Sequence, residues 1–482
     1  MADTAGDRTM TMVAPGGAPG DATAVAQAAG SATVVVTQQT AAAQAGDATV
    51  VGLPARDGTV SVARVAQLDL SQLKPQVEYT LRAHNTFALA GQTVQNYLLA
   101  DIRGFFGGML GAGGMTARAP VALALAIDRS GSMEGKPIEA VKTAVGVIVD
   151  QLTEADMLSI VTFGEQVDVL MPASRVLNRD LIKQHVERIR PKGTTNLYGG
   201  VGIAAEQLIA AKTPQHLSRV LVLTDGEANE GITEYADIIA LARDLRAKGM
   251  TVTTIGLGVE YNEELMRGIA KATRGNYYYI DSIDRIPDVF DRELKHVFGT
   301  VATSVTLRLT LADGVALTRC YGYEAAQGGH TVTLDLPDIA SGEALPVLMQ
   351  LGVKPHPAAR YRVAQSELSF KYFGQGERTT LKGDLLVEFT TDKDKILGGI
   401  DPVVEAAMRE KDVVANLQRA AAMMKQDVGT ATMIIQQAEA QLMAAGNKDD
   451  ATLVGIALGK LQRGAVDDAT KTLSVASFEL ER

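Results

Sequence analysis

Between residues 119 and 298 short, unbroken apolar runs alternate with stretches of helical periodicity. The runs VALALAI, MLSIVTF, RVLVLT and TVTTIG read as buried strands. After the first of them, Ile138, Val141, Val145, Ile148, Val149 and Leu152 fall on one face of a helix, and residues 236–245 repeat the pattern. Pro137 sits in the first helical turn, where its missing N–H costs nothing. Strands apolar on both faces, each followed by a helix, predict an α/β domain, doubly wound around a parallel sheet.

On either side the period changes to two. QVEYTLRAHN and TVQNYLLADI, within 61–103, alternate like half-buried strands, and so do TSVTLRLTLADG, HTVTLDLP, LPVLMQLGV, ELSFKYFG and DLLVEFTT, within 300–395. The two groups resemble each other more than either resembles the middle. They predict one antiparallel β-sandwich with the α/β domain inserted into it, an arrangement that neighbouring domain termini permit. The glycine-rich segment GFFGGMLGAGGM (104–115) reads as a flexible loop, or as a soft contact surface of Phe105, Phe106, Met109, Leu110 and Met115. Residues 401–478 predict a hairpin or small bundle of three helices, started near Pro402 and broken at Gly429 and Gly446-Asn447. Its methionines (Met408, Met423, Met424, Met433, Met443) are expected in the core.

Residues 1–60 hold little to build a core from. They repeat GDATAV, SATVVV and GDATVV and read as a disordered tail whose Thr-Val units serve as adhesive strands or modification sites. The expected divisions are therefore 1–60 (tail), 61–118 (first strands), 119–298 (α/β domain), 299–398 (remaining strands) and 399–482 (helices).

Composition narrows the function classes. A net charge of −10 over 482 residues is unlike a nucleic-acid phosphate footprint. One cysteine, Cys320, makes no internal disulfide, and its strand setting suggests a small buried apolar residue. The first ten residues, MADTAGDRTM, lack a basic-then-apolar leader, and no apolar run reaches the roughly 18 residues of a membrane span. A cytoplasmic protein is expected.

The candidate chemistry lies at strand ends. In AIDRSGSMEGKP an apolar strand stops at Asp128, and Ser130 and Ser132 follow at alternate positions. RVLVLTDGEANEG ends another strand at Asp225, and PKGTTNLYGG puts Thr194 and Thr195 just before a helical pattern. Parallel strands share a direction, so these loops should emerge on one edge of the sheet, where ligands of open α/β sheets bind. Two carboxylates and several hydroxyls form an oxygen-only donor set suited to a hard cation: Mg²⁺, with Mn²⁺ or Ca²⁺ as alternatives. Such an ion would stay under-neutralised and open to a carboxylate from another molecule.

DRSGSM, KGTTNL and LTDGEAN resemble the three loops of von Willebrand factor type A domains that carry a metal-ion-dependent adhesion site. Asp128, Ser130 and Ser132 match the family's DxSxS signature, Thr195 its loop threonine and Asp225 the Asp of its TDG. Thr194 stands where glycine is common. The resemblance covers about 119–298, and the flanking strands and helices are similar to bacterial proteins of this kind and, more distantly, to inter-α-trypsin inhibitor heavy chains. It implies a Mg²⁺-dependent interaction module that takes an acidic side chain of a protein partner and works as an adaptor or assembly factor, possible partners including AAA+ ATPases.

Other readings fare less well. Glu227 and Glu230 are expected to shape the rim, and His296 to be structural. GSMEGKP and GLGVEYN lack the glycine spacing of phosphate-loop and dinucleotide motifs. A phosphotransferase would want a second aspartate where Ser130 stands, and no Ser–His or Cys–His pair suggests itself, so no enzymatic role is expected. Thr33, with Val36 three residues on, is a candidate phosphosite for a phosphothreonine-binding forkhead-associated partner. The alternative to the metal-dependent module is a self-associating scaffold docked through that phospho-regulated tail.

Overall fold

The computed structural model describes residues 34–36, 75–106 and 120–481, except 212, 214, 215, 259, 281, 283, 284, 374 and 375. The expected tail, apart from Val34–Val36, lies outside the described residues, as do Thr33, Met109, Leu110 and Met115.

The chain begins with β1 (Val34–Val36), β2 (Pro75–Ala83), β3 (Phe87–Leu89) and β4 (Val94–Phe106). It continues through β5 (Val121–Asp128), α1 (Lys136–Gln151), β6 (Met157–Phe163), β7 (Val167–Arg175), α2 (Arg179–Glu187) and α3 (Leu197–Ala211). Next are β8 (Leu217–Thr224), α4 (Tyr235–Ala247), β9 (Thr251–Leu257), α5 (Glu263–Thr273), β10 (Tyr277–Ile280) and α6 (Ile286–Phe298). A second set of strands follows: β11 (Thr300–Leu311), β12 (Val315–Cys320), β13 (Ala325–Gly328), β14 (Thr331–Asp335) and β15 (Ile339–Ala340). It ends with β16 (Ala344–Val353), β17 (Ala359–Tyr372) and β18 (Arg378–Thr390). The helices α7 (Lys393–Gly398), α8 (Pro402–Met423), α9 (Val428–Ala445), α10 (Lys448–Gln462) and α11 (Val466–Glu481) close the chain.

The central sheet has the order β10-β9-β8-β5-β6-β7. All its pairs are parallel except β6–β7, an antiparallel hairpin at the edge. β5 is buried throughout because it lies between β6 and β8 with helices on both faces. Its large side chains (Val121, Leu123, Leu125, Ile127) pack toward α1 and α6. Its alanines (Ala122, Ala124, Ala126) face α3 and leave that helix room to approach. The approach is close: a Cβ added to Gly200 in α3 would lie 2.5 Å from the Phe163 ring. Each fully buried aliphatic side chain here contributes about 1.5–3 kcal/mol, and the two-sided burial fixes where β5 ends.

The flanking strands form two further sheets, β1-β2-β4-β16-β12 and β13-β14-β11-β17-β18-β3. Their pairs are antiparallel apart from β18–β3. The two sheets share one core, in which Tyr79, Leu98 and Ile102 from before the α/β domain meet Leu307, Phe370 and Phe389 from after it. The chain thus leaves this core at β4 and returns to it at β11. The loop expected from 104 begins later, since β4 runs to Phe106.

The terminal segment holds four bundled helices, α8–α11, not three. The break before α9 falls at Asp427, which caps the helix by accepting from the Thr430 N–H. Gly429 lies inside that helix, and the unforeseen break is at Gly464, whose φ is +80°. The methionine stripe is also corrected. Met424 is buried, but Met433 and Met443 are 62% and 55% exposed, because α9 buries Ala431, Ile435, Ala438 and Leu442 instead.

Candidate metal centre

β5 and β8 are parallel neighbours, with Ile127 opposite Leu223, so Asp128, the last residue of β5, and Asp225, the first after β8, both stand at the carboxyl end of the sheet. After Asp128 the chain turns through a short 3₁₀ segment, Gly131–Met133, before α1 starts behind Gly135 at φ +85°. Backbone bonds join this loop to the one before α3: the Gly131 N–H donates to Gly193 O at 3.0 Å and the Lys192 N–H to Arg129 O at 2.7 Å. Gly193 holds φ +79°, a left-handed conformation that glycine adopts without a steric cost.

The side chains converge accordingly. Ser130 Oγ and Ser132 Oγ are 3.0 Å apart, and Ser132 Oγ donates to Asp225 Oδ1 at 2.7 Å. A Cβ built on Gly226 would lie 3.5 Å from both Ser132 Oγ and Thr195 Oγ1, so the threonine hydroxyl borders the same space. Thr194 turns elsewhere, donating to Glu230 Oε2 at 3.2 Å. All five residues singled out in the sequence (Asp128, Ser130, Ser132, Thr195 and Asp225) meet where three loops meet.

Two residues with supporting roles were not singled out. Thr224 Oγ1 donates to Asp128 Oδ2 at 2.5 Å while the Ser130 N–H donates to Oδ1 at 2.7 Å, so both oxygens of the buried carboxylate are held. Asn229 fixes Thr195 from both sides: its Oδ1 accepts from the Thr195 N–H at 2.8 Å, and its own N–H donates to Thr195 O at 3.1 Å. A threonine at a strand end and an asparagine beside glutamates give no sequence signal of these contacts, which span 96 and 34 positions. Glu227 is exposed, and Glu230 is occupied with Thr194.

The electrostatics is that of an uncompensated anionic pocket. Burial pushes the Asp128 carboxyl up to about 6, against the lowering effect of its bonds with Thr224 and Ser130, and Asp225 adds repulsion. Burial also raises the Asp225 carboxyl, against the bond from Ser132, and Glu260 adds to the rise. Among the described residues no Lys or Arg forms an ion pair with either aspartate; the adjacent Arg129 turns away to Asp168 at 2.5 Å. A cation fits this donor set. The set is all oxygen and holds only two carboxylates, and among the described residues no cluster of three or more His, Cys, Asp or Glu forms a denser site.

Comparison with known proteins identifies the domain that carries these loops. The family model of the von Willebrand factor type A domain matches residues 122–292. The chain contains a von Willebrand A domain. It is similar to YfbK, an uncharacterized protein of Escherichia coli K12, at 28% identity over 244 residues, 49% of this chain and 42% of that protein. It is also similar to the inter-alpha-trypsin inhibitor heavy chain H1 of Sus scrofa, at 31% identity over 166 residues, 32% of this chain and 18% of that protein. The chain therefore matches less than half the length of either relative. A solved von Willebrand factor type A protein from Catenulispora acidiphila shares the fold, with a TM-score of 0.65 at 20% identity, covering 79% of this chain and 89% of its own. The von Willebrand A domain here is thus embedded between additional antiparallel sheets and C-terminal helices, and no helix among the described residues is long and apolar enough to cross a membrane.

Proposed function

We propose that this chain is a metal-dependent protein-interaction module with a metal-ion-dependent adhesion site at Asp128, Ser130, Ser132, Thr195 and Asp225. A bound Mg²⁺ would supply a coordination position open to an acidic side chain of a partner protein. The observation that carries this reading is the meeting, at the end of the sheet, of three hydroxyls and two carboxylates that have no ion pair among the described residues. Asp128 is the fixed donor, oriented by Thr224 and the Ser130 N–H. Asn229 holds the backbone of Thr195 and so presents its hydroxyl. Ser132, exposed on the rim, is placed to exchange its bond with Asp225 for a bond to an ion. We read the site as binding, not catalytic: its two serine hydroxyls bond to each other and to Asp225, and no Ser–His hydrogen bond occurs among the described residues. In this reading the protein is a cytoplasmic adaptor or assembly factor.

Calorimetry with Mg²⁺ and Mn²⁺ tests it. The chain should take up one ion, Asp128→Ala and Asp225→Ala should lose that uptake, and their circular dichroism should stay native. Unchanged uptake in both variants removes the site.

A second reading, self-association, has one observation in its favour: Val34–Val36 pairs antiparallel with Leu81–Tyr79 of β2, so a tail segment is added to a sheet edge. Light scattering of a chain lacking its first 60 residues separates the two, because only the scaffold loses its oligomers on truncation while ignoring EDTA.

A further inference from the structure

We infer that the cavity between α4, α5, the turn after β12 and the end of α11 is a binding site for a small phosphate-bearing molecule with a planar group, about the size of a mononucleotide. None of the proposed metal ligands lines it, and it encloses a volume of about 350 Å³, at the small end of ligand pockets.

In a chain of net charge −10, its wall carries one more basic than acidic side chain, the acids being Glu324, Asp335 and Glu481. Arg243 and Arg246 reach it from α4, and Lys271 and Arg274 from α5. Lys271 pairs with Glu481 at 3.1 Å, but the arginines are less committed. Arg246 spends one N–H on Leu336 O at 3.2 Å, and Arg274 stays 4.0 Å from Asp335, beyond hydrogen-bond reach. Arg243, an exposed lining residue, has no hydrogen bond or ion pair among the described residues. Three guanidinium forks converging on one cavity are the arrangement that takes a phosphate through several charge-assisted bonds.

Two further observations point to a ligand. Arg274 ends α5 with φ +64°, a left-handed cap position where glycine is the usual choice. This long cation is nonetheless only 17% exposed, and burial holds its guanidinium below its ordinary value; Asp335 works against that and Arg246 adds to it. A bound anion beside Arg274 and Arg246 would add to the partial balance that Asp335 and Glu324 supply. Tyr235, 46% exposed, lies on the same wall with its hydroxyl packed against Gly268, where an added Cβ would come within 2.7 Å of it. A planar group bound against this ring accounts for a half-exposed tyrosine over a charged cavity.

The test is calorimetry of the full chain in EDTA with AMP, inorganic phosphate and adenosine, so that the metal site contributes nothing. AMP should bind with a Kd at or below about 1 mM, phosphate more weakly, and adenosine not measurably. Arg246→Gln and Arg274→Gly should each weaken AMP at least tenfold; the glycine variant keeps the left-handed backbone and should melt no lower than the parent. Absence of saturable binding by both AMP and phosphate up to about 10 mM overturns the inference, and so does an affinity unchanged in folded Arg274→Gly. Phosphate binding as tightly as AMP would discard the planar group and overturn the mononucleotide form.

Discussion

Asp128 and Glu293 are both fully buried in the α/β domain, and they are solved in opposite ways. Glu293, on α6, accepts from Thr253 Oγ1 at 2.6 Å, Asn276 Nδ2 at 2.7 Å and the Tyr278 hydroxyl at 3.0 Å. Burial alone would raise its carboxyl, but Arg219 and His296 outweigh that together with these bonds, and it lies below its ordinary value. Asp128 is as deeply buried, has two neutral donors and no cation, and is pushed up to about 6. The first acid ties β9 and β10 to α6 and is finished within the fold. The second is left incomplete at the one edge of the sheet that three loops leave open. A buried acid that the fold itself balances is a structural lock; one that it does not balance is, in the function proposed above, where something from outside belongs.

The largest effect should come from breaking the finished site. Glu293→Gln removes the negative charge that acts, with the ion-paired Asp338, on the buried Arg219 and should cost about 3–5 kcal/mol in urea unfolding. Because the folded carboxyl is depressed, its contribution is present above the unfolded value and is lost as pH falls through the folded one. The variant should therefore lose part of the acid sensitivity as well.

Asp128→Asn should act in the opposite direction. The folded carboxyl is raised, so in EDTA it imposes no penalty below its unfolded value of 3.8 and a growing one as pH rises to about 6. At neutral pH the asparagine variant should therefore be more stable than the parent, by up to about 3 kcal/mol, with a flatter pH profile between those limits. Equal stability of the two chains across that range would remove the contrast.

Smaller effects sharpen it. Asn229→Ala deletes one bond that positions Thr195, worth about 1 kcal/mol, and should weaken Mn²⁺ roughly fivefold in calorimetry with little change in melting. Asp168→Ala frees Arg129 from a partly exposed pair. It should cost under about 1 kcal/mol in the same unfolding assay and leave Mn²⁺ affinity within twofold.

The contrast also explains what could be read from the sequence. Asp128 and Asp225 were legible because each interrupts an apolar run, and a polar group at a buried strand end demands a partner. The loop of Thr194 and Thr195 was legible from its place before a helical pattern, and the choice of Thr195 within it came from the family resemblance. Thr224 was not, because it closes the run RVLVLT and its bond to Asp128 exists only once β8 and β5 are neighbours. Glu293 was equally silent: its partners at 253, 276 and 278 are brought together by strand pairing, and no local spacing anticipates it. β7 escaped notice because it is a half-exposed edge strand whose sequence, VDVLMPASR, lacks the continuous apolarity of the inner strands. The fourth C-terminal helix was missed because Gly464 was not weighed as a helix stop, although its left-handed backbone ends α10. The arginine-lined cavity draws on α4, α5, a β-turn and the last helix, a grouping that no single stretch of chain carries.

The most direct test of the central claim is the anomalous difference map of a crystal soaked in manganese. One peak is expected among Asp128, Ser130, Ser132, Thr195 and Asp225, and none at the same place in Asp128→Asn. Ordinary solvent there in the parent chain, at a concentration that saturates carboxylate-rich sites, would contradict the account.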